Sequence, residues 1–375
     1  MTIRVCCYLI RTTLSKMKIG QARTIYQFRI SFIILNMLSA SIQNVLTNHN
    51  CCKISRFIVY YPKIIGYRFL LERDRMLVPN GSWEYYTTEK GICINGKCEE
   101  LTSDFLLPHY QNQIQLIFTS PPFPLNRAKK YGNLTGDVYQ EWLCTVIKSM
   151  LPLLTENGSI VIEIGNAWNP GEPTFSTLPI ETLFRIKNQC GLKLCEEFIY
   201  YNPARLPSPI QYVNIERSRV KDSFTHIWWL SKVSRPKANN RNVLKQYSSQ
   251  MQKLLKSGSY NAGDRPSEHR ISKKAFSVNH GGAIPSNVLI AANTSSNDPY
   301  IRGCKKQGYK IHPARMPSEI PTFFISFLTD ESDIVLDCFA GSNTTGHCAE
   351  LLNRHWISIE ADKDYYLGSN LRFTT

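Results

Sequence analysis

A chain of 375 residues, 43% hydrophobic and 11% aromatic, carries enough apolar material for one large or two ordinary domains, which excludes an intrinsically disordered protein. Its net charge of +15 is compatible with a nucleic-acid partner without demanding one. The twelve cysteines include no C-x-x-C and no Cys/His set at zinc-ligand spacing, so no metal site is assigned; Cys144, Cys190 and Cys338 sit in apolar runs and read as reduced core residues of a cytosolic protein.

Residues 1–75 hold twelve Lys/Arg against Glu72 and Asp74, which is ten of the fifteen net positive charges. The longest apolar stretch there, Ile30 to Ala40, is too short and interrupted to span a membrane. The low acid content fits a transit peptide, and the plainer reading is a basic extension without catalytic role, read in frame upstream of Met76.

From Trp83 the pattern becomes regular. Gly91 to Asn95 is a short strand. Ile114 to Phe118 is a compact β-branched run that predicts a buried strand of a parallel sheet. It ends in Thr119-Ser120-Pro121-Pro122-Phe123, where two prolines cannot extend the ladder and force a stiff loop. By itself Ser-Pro-Pro is a common turn. At the C-terminal end of a parallel strand, however, a stiff loop with a hydroxyl, free carbonyls and an aromatic face suits a flat polar substrate. Asp137 to Leu154 has helical spacing, with Asn157-Gly158 as its left-handed stop. Ser159 to Ile164 is a buried strand, Leu178 to Gln189 a helix stopped by Cys190-Gly191, and Leu192 to Tyr201 and His226 to Ser231 further strands. The alternation predicts a mostly parallel α/β sheet.

Between Asn202 and roughly Arg302 the alternation breaks down. Pro, Ser, Asn and Gly abound there, with Arg205, Arg217, Arg219, Lys221, Lys245, Lys253, Lys256, Arg265, Arg270, Lys273 and Lys274 dispersed among aromatics. A long solvated insertion is one reading. The other is a surface that meets phosphate and reads bases, with Arg205, Arg217, Arg219, Lys221, Arg270, Lys273 and Lys274 as the DNA-facing set. Regularity then returns: a helix over Ser318 to Leu328 with Ser318 as N-cap, a strand over Asp333 to Asp337, a helix over Thr344 to Leu352, a strand over Trp356 to Ile359 ending in Glu360, and a helix over Asp362 to Arg372.

Between that strand and helix lies Asp337-Cys338-Phe339-Ala340-Gly341-Ser342-Asn343-Thr344-Thr345-Gly346. Gly341 permits close backbone approach to a ligand, and small hydroxyl residues open the helix. There is no Gly-Lys-Ser/Thr of a P-loop and no G-x-G-x-x-G. About 20 residues on, Glu360 stands where an acid binds the two hydroxyls of a ribose. Together these features point to an adenosine-containing cofactor.

These residues carry a resemblance. Thr119 to Phe123 resembles the catalytic motif of amino-group DNA methyltransferases, and Phe339 to Gly346 resembles their S-adenosylmethionine loop. The order, catalytic motif before cofactor loop, is similar to the β class. The likeness to its PvuII-type N4-cytosine members extends through Tyr131-Gly132-Asn133, Leu206-Pro207-Ser208-Pro209-Ile210, Ile227-Trp228-Trp229, Gly281-Gly282, His312-Pro313-Ala314-Arg315 and Trp356-Ile357-Ser358, covering roughly residues 83 to 373. No cysteine follows a proline, so the nucleophile of cytosine C5 methylation is missing.

The resemblance implies a Rossmann-like S-adenosylmethionine-dependent α/β fold with permuted motif order and an inserted DNA-recognition region. Its parts are the extension 1–75, a catalytic half 76–201, a target-recognition region 202–302 and a cofactor half 303–375. It implies that Asp337, Phe339, Ala340, Gly341, Ser342, Asn343, Thr344 and Thr345 surround the methionine moiety, that Glu360 holds the ribose, and that His312, Pro313, Ala314 and Arg315 close the other side. Ser120, Pro121, Pro122 and Phe123 are implied to be catalytic, with Ser120 favouring cytosine N4 over adenine N6. Further implications are a double-stranded DNA partner, a palindromic target related to CAGCTG, no membrane, a cytoplasmic, nucleoid-associated monomer of a prokaryote, and a cognate restriction endonuclease that is not a subunit. One departure stands out: relatives carry Gly-Asp where this chain has Gly96-Lys97. A catalytically impaired DNA-binding relative would keep the basic region and lose cofactor binding. A nucleotide-dependent oxidoreductase would share the glycine loop and Glu360 but have no use for Ser-Pro-Pro-Phe beside a basic insertion.

Overall fold

A computed structural model describes residues 76–81, 83–123, 134–258, 263–272, 278–294 and 298–373. The extension 1–75, the Tyr131-Gly132-Asn133 segment, and Lys273 and Lys274 lie outside the described residues.

The central sheet has nine strands. In chain order they are β1 (Glu84–Thr87), β2 (Gly91–Asn95), β3 (Ile114–Thr119), β4 (Leu154–Gly165), β5 (Lys193–Tyr201), β6 (Phe224–Ser231), β9 (Val288–Ile290), β10 (Ile334–Asp337) and β11 (His355–Glu360). A separate hairpin pairs β7 (Gly263–Asp264) with β8 (Arg270–Ile271). The spatial order is β1-β2-β11-β10-β3-β4-β6-β5-β9. Strands β2, β11, β10, β3 and β4 run parallel, and β6 enters antiparallel between β4 and β5. Both β6 and β9 fall within the range 202–302, so part of that range is built into the main sheet.

Two-residue alternation gives the sheet two apolar faces. Ile92, Ile94, Ile160, Ile162, Ile164, Ile357 and Ile359 pack against α2 (Gly136–Met150) and α3 (Leu178–Gln189) through Leu143, Ile147, Met150 and Ile186. Leu116, Phe118, Val161 and Trp356 face the other way, against α6 (Glu319–Leu328) and α7 (Thr344–Leu351). Gln115, buried at a register shift in β3 between Ile114 and Leu116, accepts from Thr155 Oγ1 at 2.9 Å through its side-chain amide oxygen. The remaining helices are α1, which runs from Cys98–Leu101 through a π-turn Thr102–Leu106 to Leu107–Tyr110, then α4 (Ser249–Ser257), α5 (Pro299–Gln307) and α8 (Lys363–Ser369). Among the described residues no helix is long and apolar enough to cross a membrane.

Most predicted elements form within a residue or two of their expected ends. Asn157-Gly158 corrects one expectation. The Leu151–Leu153 3-10 turn ends α2, and both residues lie inside β4. A Cβ on Gly158 would come within 3.2 Å of the Ile114 and Gln115 carbonyls, so glycine is there for close approach of β3 rather than a left-handed stop. Ser318 stands at the N-cap of α6 without a side-chain capping bond. Helices α1, α4 and α5 and strands β1 and β9 are not announced by the sequence pattern.

Candidate active site

Parallel strands deliver their C-terminal ends to one edge, which brings Asn95, Thr119, Gly165, Asp337 and Glu360 together. A cavity of about 370 Å3 opens there. Ser120, Pro121, Pro122 and Phe123 line it, as do Asp337, Phe339, Ala340, Gly341, Ser342, Thr344, Thr345, Glu360, His312 and Ala314. Three further candidates stand back from it: Pro313, Arg315 and Asn343.

Asn343 has a structural task. It is fully buried with φ +53, its Oδ1 accepts from Gly346 N and Ser358 Oγ, and its Nδ2 donates to Tyr86. It thereby caps α7 and fixes the loop's path into the helix. The Arg315 guanidinium donates to the His312 carbonyl at 3.2 Å, bracing the segment that carries His312.

The glycine loop is organised by Asp337. Its Oδ1 accepts from Thr119 Oγ1 at 2.8 Å and from Phe339 N at 3.1 Å, and its Oδ2 accepts from Thr345 Oγ1 at 2.6 Å. Burial pushes this carboxyl above its ordinary range, and the three donors pull against that. Glu360 at the end of β11 accepts from Gly341 N at 2.6 Å and Asp362 N at 2.8 Å. Its burial raises the pKa to about 7, with the backbone donors again opposing. The opposite wall is His312, whose ring meets Tyr365 edge-on at 4.5 Å and whose backbone N–H donates to the Tyr300 hydroxyl at 2.9 Å.

On the catalytic side, Ser120 is hydrogen-bonded to Glu163, a residue of β4 that is 7% exposed. Thr225 Oγ1 of β6 donates to the same carboxylate at 3.1 Å. Burial raises the Glu163 carboxyl above its usual value; the Ser120 and Thr225 bonds and the nearby Arg205 charge oppose this. Phe123 lies across Gly165, where a Cβ would come within 2.5 Å of the ring. Glycine at the end of β4 is thus what lets the phenyl ring settle there.

The sequence reading missed Glu163. Its signal was a single carboxylate inside the otherwise apolar run Ile160 to Gly165. It also missed Tyr139, a residue of the cavity wall whose hydroxyl is sealed from solvent and has no partner among the described residues. An orphaned buried hydroxyl is costly unless a ligand satisfies it. Glu99 was missed as well. It accepts from the Trp142 indole at 2.7 Å, and Trp142 in turn packs on Phe339 at 5.5 Å between ring centroids. That bond offsets the burial effect and holds the Glu99 carboxyl below its ordinary range. Lys97 pairs loosely with Glu100 at 3.8 Å, and Glu99 is the carboxylate that this segment presents to the cavity.

The basic candidates do different jobs. Lys221 Nζ donates to the Pro203 and Arg205 carbonyls, Arg219 to the Pro173 and Ser218 carbonyls, and Arg205 to the Phe224 carbonyl. Arg270 pairs with Asp264 at 3.7 Å across the exposed β7–β8 hairpin. Arg217 is exposed and makes no hydrogen bond or ion pair among the described residues.

The polar groups around this cavity suit an adenosine ligand bearing a positive charge: carboxylates at Asp337, Glu360 and Glu99 that accept hydrogen bonds, and small hydroxyls at Ser342 and Thr344. Comparison with known proteins agrees with this chemistry. The N6/N4 family model described as DNA methylase matches residues 114–370. Type II methyltransferase M.PvuII of Proteus hauseri is 42% identical over 290 residues, spanning 77% of this chain and 85% of that protein. Type II methyltransferase M.BglI of Bacillus subtilis is 26% identical over 297 residues, 71% of this chain and 81% of that protein. The solved structure of PvuII DNA methyltransferase (cytosine-N4-specific) matches with a TM-score of 0.62 at 36% identity, covering 77% of this chain and 88% of that one.

Proposed function

The chain belongs to the N6/N4 DNA methylase family, and on that premise we propose that it transfers a methyl group from S-adenosylmethionine to the exocyclic N4 amine of cytosine in duplex DNA. The observation that carries the reading is one cavity bounded by the Ser120–Glu163 pair on one side and by Asp337 and Glu360 on the other.

When bound, the cofactor supplies an electrophilic methyl group on its sulfonium. The protein's residues do the rest. Glu360 accepts from the ribose hydroxyls, and Asp337 keeps the glycine loop closed around the ligand. The amine's lone pair is delocalised into the cytosine ring and is poorly nucleophilic. Ser120 Oγ accepts one amine N–H while donating its own proton to Glu163, and the Pro121 carbonyl accepts the other. Both bonds favour a pyramidal nitrogen with its lone pair aimed at the methyl carbon. As the N–C bond forms at the expense of the methyl–sulfur bond, whose electron pair stays on the sulfur as a neutral thioether, one amine proton must leave. Glu163 is the acceptor, reached through Ser120, and its raised pKa makes it a better base than an exposed carboxylate. Phe123 stacks on the base. Orientation of this kind supplies up to ~7–11 kcal/mol of barrier reduction. No covalent intermediate is required. The base leaves the helix first, because its amine is paired inside the duplex.

We place the enzyme in the modification arm of a restriction–modification system, acting as a cytoplasmic, nucleoid-associated monomer on a palindrome related to CAGCTG, beside a separate endonuclease of the same specificity. The test is transfer of labelled methyl groups to duplex DNA, followed by mass spectrometry of the digested nucleosides. N4-methylcytosine is the expected product. N6-methyladenine would overturn the choice of base, and cofactor binding without transfer would mark a catalytically impaired relative.

A further inference from the structure

The two most exposed large apolar side chains among the described residues are Leu206 and Val220, at 80% and 86%. Both lie in the loop that joins β5 to β6, which also exposes Ile210 and Ile215. Large aliphatic groups held in water oppose folding and mark contact surfaces when they cluster.

This loop is braced rather than slack. Lys221 Nζ ties its two limbs together by donating to the Pro203 carbonyl at 3.0 Å and the Arg205 carbonyl at 3.2 Å. That tie sets Leu206 and Val220, the neighbours of Arg205 and Lys221, on adjoining limbs. The tip is closed by Ser218 N and Arg219 N, which both donate to the Tyr212 carbonyl, and the Tyr212 ring stacks on Trp168 at 6.3 Å. Arg217, exposed at that tip, is held at φ +56, a strained conformation for a side-chain-bearing residue.

The base of the loop stands on the catalytic wall. Asn166, which follows the Gly165 that seats Phe123, donates to Asp222 Oδ1 at 2.9 Å. Three residues after Asp222, Thr225 holds Glu163, the partner of Ser120. The base of the loop therefore adjoins the wall of the proposed base pocket. The loop carries four Lys/Arg against Glu216 and Asp222, which favours a polyanion as occupant.

We propose that the β5–β6 loop, residues 202–223, is a preorganised wedge that enters the duplex beside the target base, with Leu206 and Val220 filling the space that the base vacates and Arg217 meeting backbone phosphate. The proposal rests on the methyltransferase reading above. Apolar wedges inserted between base steps offset the cost of unstacking, and a loop already fixed in shape loses little entropy on entry.

The test uses a duplex bearing the methylation site, mapped first from methylated plasmid DNA, with 2-aminopurine beside the target cytosine. The unaltered protein should raise the fluorescence, reporting base extrusion. The double variant L206S/V220S should lose most of that rise and methylate the paired duplex about tenfold or more slowly, because the cost of extrusion is no longer offset. On a duplex whose target cytosine faces an abasic site, where little pairing must be broken, its rate should return to within about twofold of the unaltered protein. Cofactor affinity should not change, and L351S, which removes another largely exposed leucine, on α7, should behave as the unaltered protein. Equal loss on paired and abasic duplexes would overturn the wedge. So would sedimentation showing a dimer that the double variant dissociates, because the patch would then be a self-association surface. Absence of methyl transfer by the unaltered protein, despite cofactor binding, would instead remove the underlying reading and the wedge with it.

Discussion

The Thr119 hydroxyl donates a 2.8 Å hydrogen bond to Asp337 Oδ1, across 218 positions of sequence. Thr119 is the last residue before Ser120, and Asp337 is the last residue of β10 before the glycine loop. Because β3 and β10 are parallel neighbours, this one bond clamps the start of the catalytic loop to the start of the cofactor loop.

Asp337→Ala should loosen both loops at once. Hydrogen bonds to a charged group contribute about 1.5–3 kcal/mol each, so cofactor affinity should fall by well over ~tenfold and thermal stability should drop with it. Isothermal titration and calorimetry on the free protein check this. Unchanged affinity would mean that the glycine loop holds its shape without the clamp.

Ser120→Ala and Glu163→Gln should both reduce turnover by about a hundredfold or more while leaving cofactor affinity nearly intact, the range expected for loss of a proton acceptor and its relay. The pH profile separates them. Glu163 must be ionised to accept a proton, and burial raises its pKa, so turnover should fall on acidification from a point above the ordinary carboxylate range. Glu163→Gln should erase that acidic limb, and Glu163→Asp should keep it. A profile unchanged by Glu163→Gln would remove Glu163 from the proton path.

Glu360 gives a second pH signature, read in binding. Its pKa is raised to about 7, and only the ionised form accepts from two ribose hydroxyls, so cofactor affinity should weaken as pH falls through 7. Stability of the free protein has the opposite sign. A carboxyl whose folded-state pKa is raised stabilises most below its unfolded value, and this contribution is lost as pH climbs through about 7. Glu360→Gln should flatten both curves in the respective assays.

Tyr139→Phe removes a buried hydroxyl that has no partner among the described residues. The free protein should gain about 1–3 kcal/mol, since an unsatisfied buried group is deleted without changing shape. Destabilisation of the free protein, measured by denaturant titration, would show that the hydroxyl has a partner in the folded chain.

Gly165→Ala places a methyl group within 2.5 Å of the Phe123 ring. The ring must move, so kcat should fall about tenfold or more, close to 1.4 kcal/mol of lost orientation per decade, while circular dichroism stays native. Retained activity would mean that Phe123 is free to stack from a second position.

The central parallel strands, the break at Ser120-Pro121-Pro122 and the glycine loop with Glu360 at the next strand end are legible in the chain alone. These signals are local: a β-branched run, a missing backbone donor, a residue without Cβ and a spacing set by one strand–loop–helix–strand unit. Thr119 and Asp337 each had a visible place in such a unit. Tertiary structure decided the rest. Glu163 becomes the partner of Ser120 only because β4 lies beside β3, and Thr225 joins them only because β6 runs antiparallel on the far side of β4. The same pairing gave Gly158 and Gly165 meanings that composition cannot carry, one admitting a neighbouring strand and the other an aromatic ring. Lys221 read as a phosphate ligand, and its ammonium also braces its own loop through the Pro203 and Arg205 carbonyls, a role composition does not show. Long-range partners depend on which strands become neighbours, and that choice is made by burial of the two whole sheet faces rather than by any short stretch of chain.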